Sequence, residues 1–151
     1  MRDSAWLQNQ LDYLLKTYFS DVKVTNPIEI KFGREAKYRF GSIKLYRGKS
    51  SKGIKGLLKL KGMPKKSVIM ITSMFAREDI PADVVCYTIG HELCHYAHGF
   101  SSTNKRLFKY PHHGGIVNKE LKSRGAHHLI SAFKKWLRAY RKQILEHRTA
   151  V

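Results

Sequence analysis

Residues 80–99 read IPADVVCYTIGHELCHYAHG, a segment that predicts one largely buried helix. Pro81 suits the first turn of a helix, and Asp83 lies favourably at its positive end. Apolar residues recur at helical spacing from residue 84 onward, and Gly99 marks a stop. We therefore expect a helix that begins near Pro81 and ends near His98.

The predicted helix contains the pattern His-Glu-x-x-His at residues 91–95. His91 and His95 are four residues apart, so both imidazoles lie on one face of the helix and can reach one metal ion. Glu92 follows the first histidine, where its carboxylate can take a proton from a water on the metal. The pattern is typical of zinc-dependent hydrolases, most often proteases. An acid between two histidines of a buried helix would be costly without such a function.

A third metal ligand must come from elsewhere, because a catalytic zinc ion takes three protein ligands and leaves one position for water. The pair His112-His113 precedes two glycines, which places an imidazole on a tight loop that enters a helix. We predict His113 as the third ligand and His112 as the second choice. His98 stays open because it lies close to the same helix face, and Glu120 because some zinc sites use a glutamate from a following helix.

Hydrolysis of a carbonyl also needs a donor for the charge that develops on its oxygen. The candidates are Tyr87, Tyr96, Tyr110 and His112, and the sequence does not choose among them.

The rest of the chain has patterns typical of a small α+β domain. A helix is predicted from Asp3 or Ser4 to about Phe19. Alternating or continuous apolar runs predict strands at 28–32, 40–46 and 68–75, with a further strand or extended arm at 54–60. A short helix at 114–124 and a basic helix at about 126–147 follow. This order predicts a single domain over residues 1–151, with an N-terminal helix, a short and mostly antiparallel sheet, the active-site helix and C-terminal helices.

The charge balance is one-sided, with a formal net charge of +18 in 151 residues. No acidic residue lies between Glu35 and Glu78, and beyond Leu93 the only acids are Glu120 and Glu146. Such a balance attracts polyanions, and nucleic acid is the first candidate, ahead of a merely solubilising surface. The candidate contacts are Lys44, Arg47, Lys49, Lys52, Lys55 and Lys59 in the middle of the chain and Lys134, Lys135, Arg138, Arg141 and Lys142 in the last helix.

The cysteines and the apolar runs suggest a compartment. Cys86 and Cys94 are eight residues apart in one predicted helix, which is too far to bridge, so we expect free thiols and a reducing compartment. The first ten residues do not resemble a secretory signal, and no run approaches the roughly 18 apolar residues of a membrane span. We expect a cytoplasmic monomer with no membrane partner, associated with DNA or the nucleoid, or nuclear if eukaryotic.

The segment from Tyr87 to Gly99, followed by His113-Gly114, Val117 and Gly125, resembles the SprT-like, or Spartan-type, zinc metallopeptidase family. The resemblance covers about residues 65–126. The family usually has an aromatic residue where this chain has Val117. No cysteine follows Cys94, so the chain has no cysteine-rich zinc ribbon, and any DNA contact must come from its basic residues.

The resemblance implies a small zincin-like fold and one zinc ion held by His91, His95 and His113, with Glu92 as general base. The implied activity is cleavage of DNA-associated or DNA-crosslinked proteins. Two other hypotheses stay open: a metal-dependent hydrolase or general peptidase without a DNA role, and a nucleic-acid-binding module with a structural zinc.

Overall fold

The computed structural model describes residues 1–47 and 65–149, which form a small α+β domain, as the sequence predicts. Its helices are α1 (Ser4–Thr17), α2 (Ala82–Ala97), α3 (Ile116–Ser123) and α4 (His127–Thr149). Its strands are β1 (Ile28–Phe32), β2 (Gly41–Arg47) and β3 (Lys65–Ile71), and single 3₁₀ turns occupy Ser73–Ala76 and His113–Gly115. The arm predicted at 54–60 and the candidates Lys49, Lys52, Lys55 and Lys59 lie outside the described residues.

The described strands form a sheet in the order β1-β3-β2. β3 lies between the two earlier strands and runs parallel to β1 and antiparallel to β2. Among the described strands the sheet is therefore mixed, with one parallel and one antiparallel pair, because β3 is inserted at the centre instead of being added to an edge. Val68, Ile69 and Ile71 make this central strand the buried one, and β2 lies at an edge of the described sheet.

β3 ends before the predicted position, because Thr72 redirects the chain. The Thr72 backbone N–H donates to the carbonyl of Phe40 over 2.8 Å, and its side-chain oxygen accepts from the N–H of Ala36 over 2.9 Å. Such side-chain bonds compete with the strand ladder. The apolar residues that follow, 74–76, are buried in a 3₁₀ turn, which explains why the apolar pattern continues where the strand does not.

Helix α2 is the centre of the domain, since it contacts β2, β3, α1, α3 and α4. Helix α1 begins at a capping bond in which the Asp3 carboxylate accepts from the N–H of Trp6 over 2.8 Å, and it buries Leu7, Leu11 and Leu14.

Cys86 and Cys94 are free thiols, as predicted, and both are buried. Burial raises the pKa of the Cys86 thiol to about 11 and that of the Cys94 thiol to about 12. Among the described helices, none combines the length and apolar character needed to cross a bilayer.

An aromatic cluster fixes the first half of α4 against α2. The rings of Phe133 and Tyr87 stack with their centroids 4.2 Å apart, and Phe40 packs edge-on against Phe133 at 6.0 Å. Trp136 stacks on Tyr140 at 4.8 Å farther along the helix. The cluster places α4 and the segment before β2 beside the face of α2 that carries His91.

Candidate metal centre

Three histidine side chains converge on one face of α2. His91 and His95 belong to α2, one turn apart, and His112 comes from the loop before α3. The Nε2 atom of His112 lies 3.2 Å from Nε2 of His91 and 3.0 Å from Nε2 of His95. Together the three residues could hold a metal ion, since their ligand atoms all lie within 4.8 Å of one another.

The spacing of these nitrogens suits one shared cation better than a hydrogen-bonded cluster. A neutral imidazole nitrogen carries either one proton or one lone pair, so Nε2 of His112 can form one good hydrogen bond but not two. Two nitrogens bound tetrahedrally to one zinc ion would lie about 3.3 Å apart. The two observed distances, 3.2 and 3.0 Å, are close to that value.

The two helix histidines are neutral near pH 7, which is the state that binds metals. Burial, with the nearby His112 as a smaller cause, lowers the pKa of His91 to about 4. Burial also lowers the pKa of His95 to about 3, with His91 and His112 as smaller causes. The cluster therefore offers lone pairs rather than charges.

The third histidine of the cluster is His112, and this corrects the prediction of His113. Both histidines of the pair are exposed, but His113 begins a 3₁₀ turn and has its ring 6.2 Å from that of Tyr110. Gly114 and Gly115 follow with positive φ angles of 70° and 67°, a conformation that glycine adopts without strain. With this turn, the imidazole of His112 points towards α2 and that of His113 does not.

Tyr96 faces away from the histidine cluster. Its hydroxyl donates to the carbonyl of Asn26 over 2.8 Å and accepts from the N–H of Asn26 over 3.2 Å. Its ring is fully buried. The hydroxyl thus has its partners on the far side of the helix, which excludes the predicted use as an oxyanion donor.

His98 and Glu120 also lie apart from the cluster, whose members are His91, His95 and His112. His98 is buried, and its Nε2 lies 3.5 Å from a carboxylate oxygen of Glu120. Glu120 accepts from the Arg124 guanidinium over 3.0 Å. Arg124 in turn pairs with Asp21, so Glu120, Arg124 and Asp21 tie α3 to the loop after α1.

The other two tyrosine candidates differ in position. Tyr87 lines the cleft beside the histidines and donates its hydroxyl to the side-chain oxygen of Asn118 over 2.8 Å. Tyr110 is more than half exposed and lies beside His113 instead. Tyr87 is therefore the tyrosine that remains near the site.

Glu92 is 6% exposed and lies at the floor of the same cleft. Burial raises its pKa to about 7, against the opposing effect of the Arg39 charge. β2 begins directly above it, where a Cβ on Gly41 would lie 3.4 Å from the Glu92 Oε1 atom and 2.7 Å from the Thr88 Cγ2 atom. Sequence reasoning missed Gly41, although a glycine in a strand often marks a close approach.

An open cleft of about 500 Å³ surrounds the histidines and Glu92. Its walls come from β2, α2, α4 and the loop before α3, and include Arg39, Ser42, Ile43, Phe100, Arg106 and Phe133. The Arg106 guanidinium lies 4.9 Å above the ring of Phe100, which is 6.2 Å from the ring of His95. Neither arginine was predicted as a site residue, because single charges in loops carry no periodic signal.

The described nucleic-acid candidates lie on two elements that border this cleft. Lys44 and Arg47 are exposed on β2, whose Ser42 and Ile43 line the cleft. The α4 candidates Lys134, Lys135, Arg138, Arg141 and Lys142 are all exposed, and Phe133 of the same helix lines the cleft.

The chain matches no family model, no curated protein and no solved structure. The resemblance to the SprT-like family therefore rests on the motif residues alone.

Proposed function

We propose that the chain is a zinc-dependent metallopeptidase that cleaves proteins associated with nucleic acid, in particular with DNA. The observation that carries the proposal is the convergence of three histidine Nε2 atoms beside the buried carboxylate of Glu92 in an open cleft. Three neutral donors and an open side are typical of catalytic zinc, whereas structural zinc is usually closed by four protein ligands. This difference favours an enzyme over a binding module with a structural zinc.

Glu92 would act as the general base. A zinc ion held by His91, His95 and His112 supplies Lewis acidity that acidifies water and polarises a carbonyl. The carboxylate accepts a proton from the attacking water and passes it to the leaving amine. Burial raises the pKa of this carboxyl in the metal-free site, which favours its acceptance of a proton.

The shape of the cleft supports an extended polypeptide as substrate. β2 forms one wall, and in the described sheet it is bonded to β3 on one side only. Among the described residues this edge of β2 has no strand partner, and a free strand edge offers backbone donors and acceptors to a peptide in the extended conformation. The aromatic rings of Phe100 and Phe133 offer apolar contact for its side chains.

The nucleic-acid part of the proposal rests on charge. Exposed lysines and arginines lie on both β2 and α4, the two elements that flank the cleft. If about six of the cations contact phosphates, binding should fall by about 10³-fold between 50 and 200 mM salt. Affinity that does not change with salt would remove this half of the proposal and leave a general peptidase or other metal-dependent hydrolase.

The direct test of the chemistry is Glu92→Gln, with Glu120→Gln as the matched control. Loss of the general base should reduce turnover by about 10²- to 10⁴-fold while zinc binding persists. Glu120→Gln makes the same chemical change outside the cluster and should retain turnover and zinc. Unchanged turnover in Glu92→Gln would refute the assignment of Glu92.

A second assay should compare a protein crosslinked to a DNA oligonucleotide with the same protein free in solution. The proposal expects faster cleavage of the crosslinked form at low salt, because the DNA holds the substrate near the enzyme. Equal rates at every salt concentration would favour a peptidase without a DNA role.

A further inference from the structure

A second groove continues from the metal cleft along α4. It has a volume of about 530 Å³ and runs between α4 and the segment 37–40. Tyr38, Phe40 and Phe133 line both cavities, so the two are contiguous. The floor of the groove is apolar, and it includes Phe133, Leu137, Tyr140 and Ile144.

The rim of this groove is cationic. Lys37, Arg141 and Arg148 line it, and no acidic residue is among its described lining residues. Glu35 and Glu146, the acids nearest in sequence, are not part of the lining. The wall of the groove therefore carries positive side chains, while Glu35 lies close enough to add to the rise that burial causes in the pKa of Tyr140.

An exposed ring stands at the edge of the groove beside these cations. Tyr38 is 68% exposed, and its hydroxyl accepts a hydrogen bond of 3.0 Å from the Arg148 guanidinium. Tyr140 is held in place, because its hydroxyl donates to the Lys37 carbonyl over 2.9 Å and its ring stacks on Trp136. The groove thus combines the exposed ring of Tyr38, the fixed ring of Tyr140 and the cations of its rim.

We propose that this groove binds single-stranded nucleic acid, with bases against Tyr38 and the apolar floor and phosphates near Lys37, Arg141 and Arg148. Stacking rings combined with cations are the features by which proteins hold unpaired strands. A duplex keeps its base faces stacked inside and offers chiefly phosphates to such a surface. An acidic peptide would satisfy the cations, but it lacks the planar groups that the exposed ring fits.

The proposal deepens the nucleic-acid half of the proposed function and does not depend on the peptidase chemistry. An unpaired nucleic-acid strand would be the partner that holds the enzyme in place. The strand would lie next to the metal cleft. A bound strand would leave the metal cleft itself free for polypeptide.

The test measures binding of a fluorescent 15-nucleotide oligothymidine to the whole chain by anisotropy at fixed salt. An abasic oligomer of the same length, which has the phosphates without the bases, should bind about tenfold more weakly. Tyr38→Ala should weaken oligothymidine binding by about tenfold and leave abasic binding unchanged, whereas Tyr38→Phe should retain most of the affinity. Because Tyr38 is exposed, its truncation should not unfold the chain.

The cations are tested with Arg141→Glu combined with Arg148→Glu. This pair should weaken binding of both oligomers by tenfold or more. The matched control, Lys16→Glu with Lys122→Glu, makes the same change in net charge at exposed positions on α1 and α3. It should have a clearly smaller effect on both oligomers.

Three results would overturn the groove assignment: equal binding of the two oligomers, no effect of Tyr38→Ala, or equal effects of the two charge-reversal pairs. Competition by polyglutamate as strong as by oligothymidine would identify an acidic-peptide site instead. If duplex DNA binds but the groove variants leave all binding unchanged, only this inference fails. If no nucleic acid binds at low salt, the nucleic-acid half of the proposed function fails with it.

Discussion

Helix α2 carries polar groups on two faces, and the two faces are satisfied in different ways. On one face, Tyr96 forms hydrogen bonds with both backbone groups of Asn26, whose side chain also donates to Ser67 over 2.8 Å. On the other face, three imidazoles point their Nε2 atoms at one another. The first arrangement is complete without any ligand, whereas the second could hold a metal ion.

The contrast separates structural from functional polar residues on one helix. Burying a polar group costs free energy unless it is hydrogen-bonded, so the Tyr96 network stabilises the fold. Glu92 and His95 are buried and His91 is half-buried, and the histidines contact only other imidazoles among the described hydrogen bonds. Burial shifts the pKa of each of these three groups towards its neutral form. Such groups are candidates for chemistry.

The largest expected effect is a loss of zinc affinity when one histidine of the cluster is removed. His112→Ala should weaken zinc affinity by more than about 100-fold, since even the loss of a residue that supports a ligand costs 10- to 100-fold. His113→Ala is the control and should bind zinc as the unmodified chain does. Competition against a chelating dye measures both, and the reverse result would make His113 the third ligand.

Zinc itself should stabilise the fold through the same face. Zinc at about 100 times its dissociation constant should raise the free energy of unfolding by about 2.7 kcal/mol, because it binds the folded state. Urea denaturation with zinc and with a chelator measures the difference. At the same zinc concentration His112→Ala should show about 0.4 kcal/mol or less, and a full zinc effect in this variant would place the ion elsewhere.

A change on the face of α2 that carries Tyr96 should lower the stability of the fold and leave the activity unchanged. Tyr96→Phe leaves the buried backbone groups of Asn26 without their partner and should lower the free energy of unfolding by about 2 kcal/mol. Zinc affinity and turnover per folded molecule should not change. A loss of turnover without a loss of stability would mean that the two faces are not independent.

The smallest expected effect comes from the strand above Glu92. Gly41→Ala brings a Cβ to 2.7 Å from Thr88 Cγ2 and 3.4 Å from the Glu92 carboxylate, so β2 must shift. We expect kcat/KM to fall about fivefold, or about 1 kcal/mol in the barrier. Gly33→Ala is the control, because its Cβ would meet the flexible end of Met70, 2.8 Å away. Equal losses in the two variants would remove the special position of Gly41.

The sequence predicted the regular elements well where periodicity is strong. The apolar spacing of α1 and α2 gave both helices within a few residues, and alternation gave β1 and β2. It overextended β3, because burial in a strand and burial in a 3₁₀ turn produce the same apolar run around Phe75. Local pattern also could not show that β3 lies between β1 and β2, since strand order depends on long-range pairing.

Within the site, the sequence by itself placed His91 and His95 on one helix face, because residues four apart lie about one turn apart. It singled out Glu92 through the His-Glu-x-x-His motif. Only the tertiary structure decided between His112 and His113, since the direction of an imidazole in a loop depends on how Gly114 and Gly115 turn the chain. Only the fold could show that Tyr96 and His98 lie apart from the cluster, and that Gly41 and Arg39 lie beside Glu92. Contacts between segments that are distant in sequence depend on how the helices and strands pack. The spacing of residues along the chain does not predict that packing.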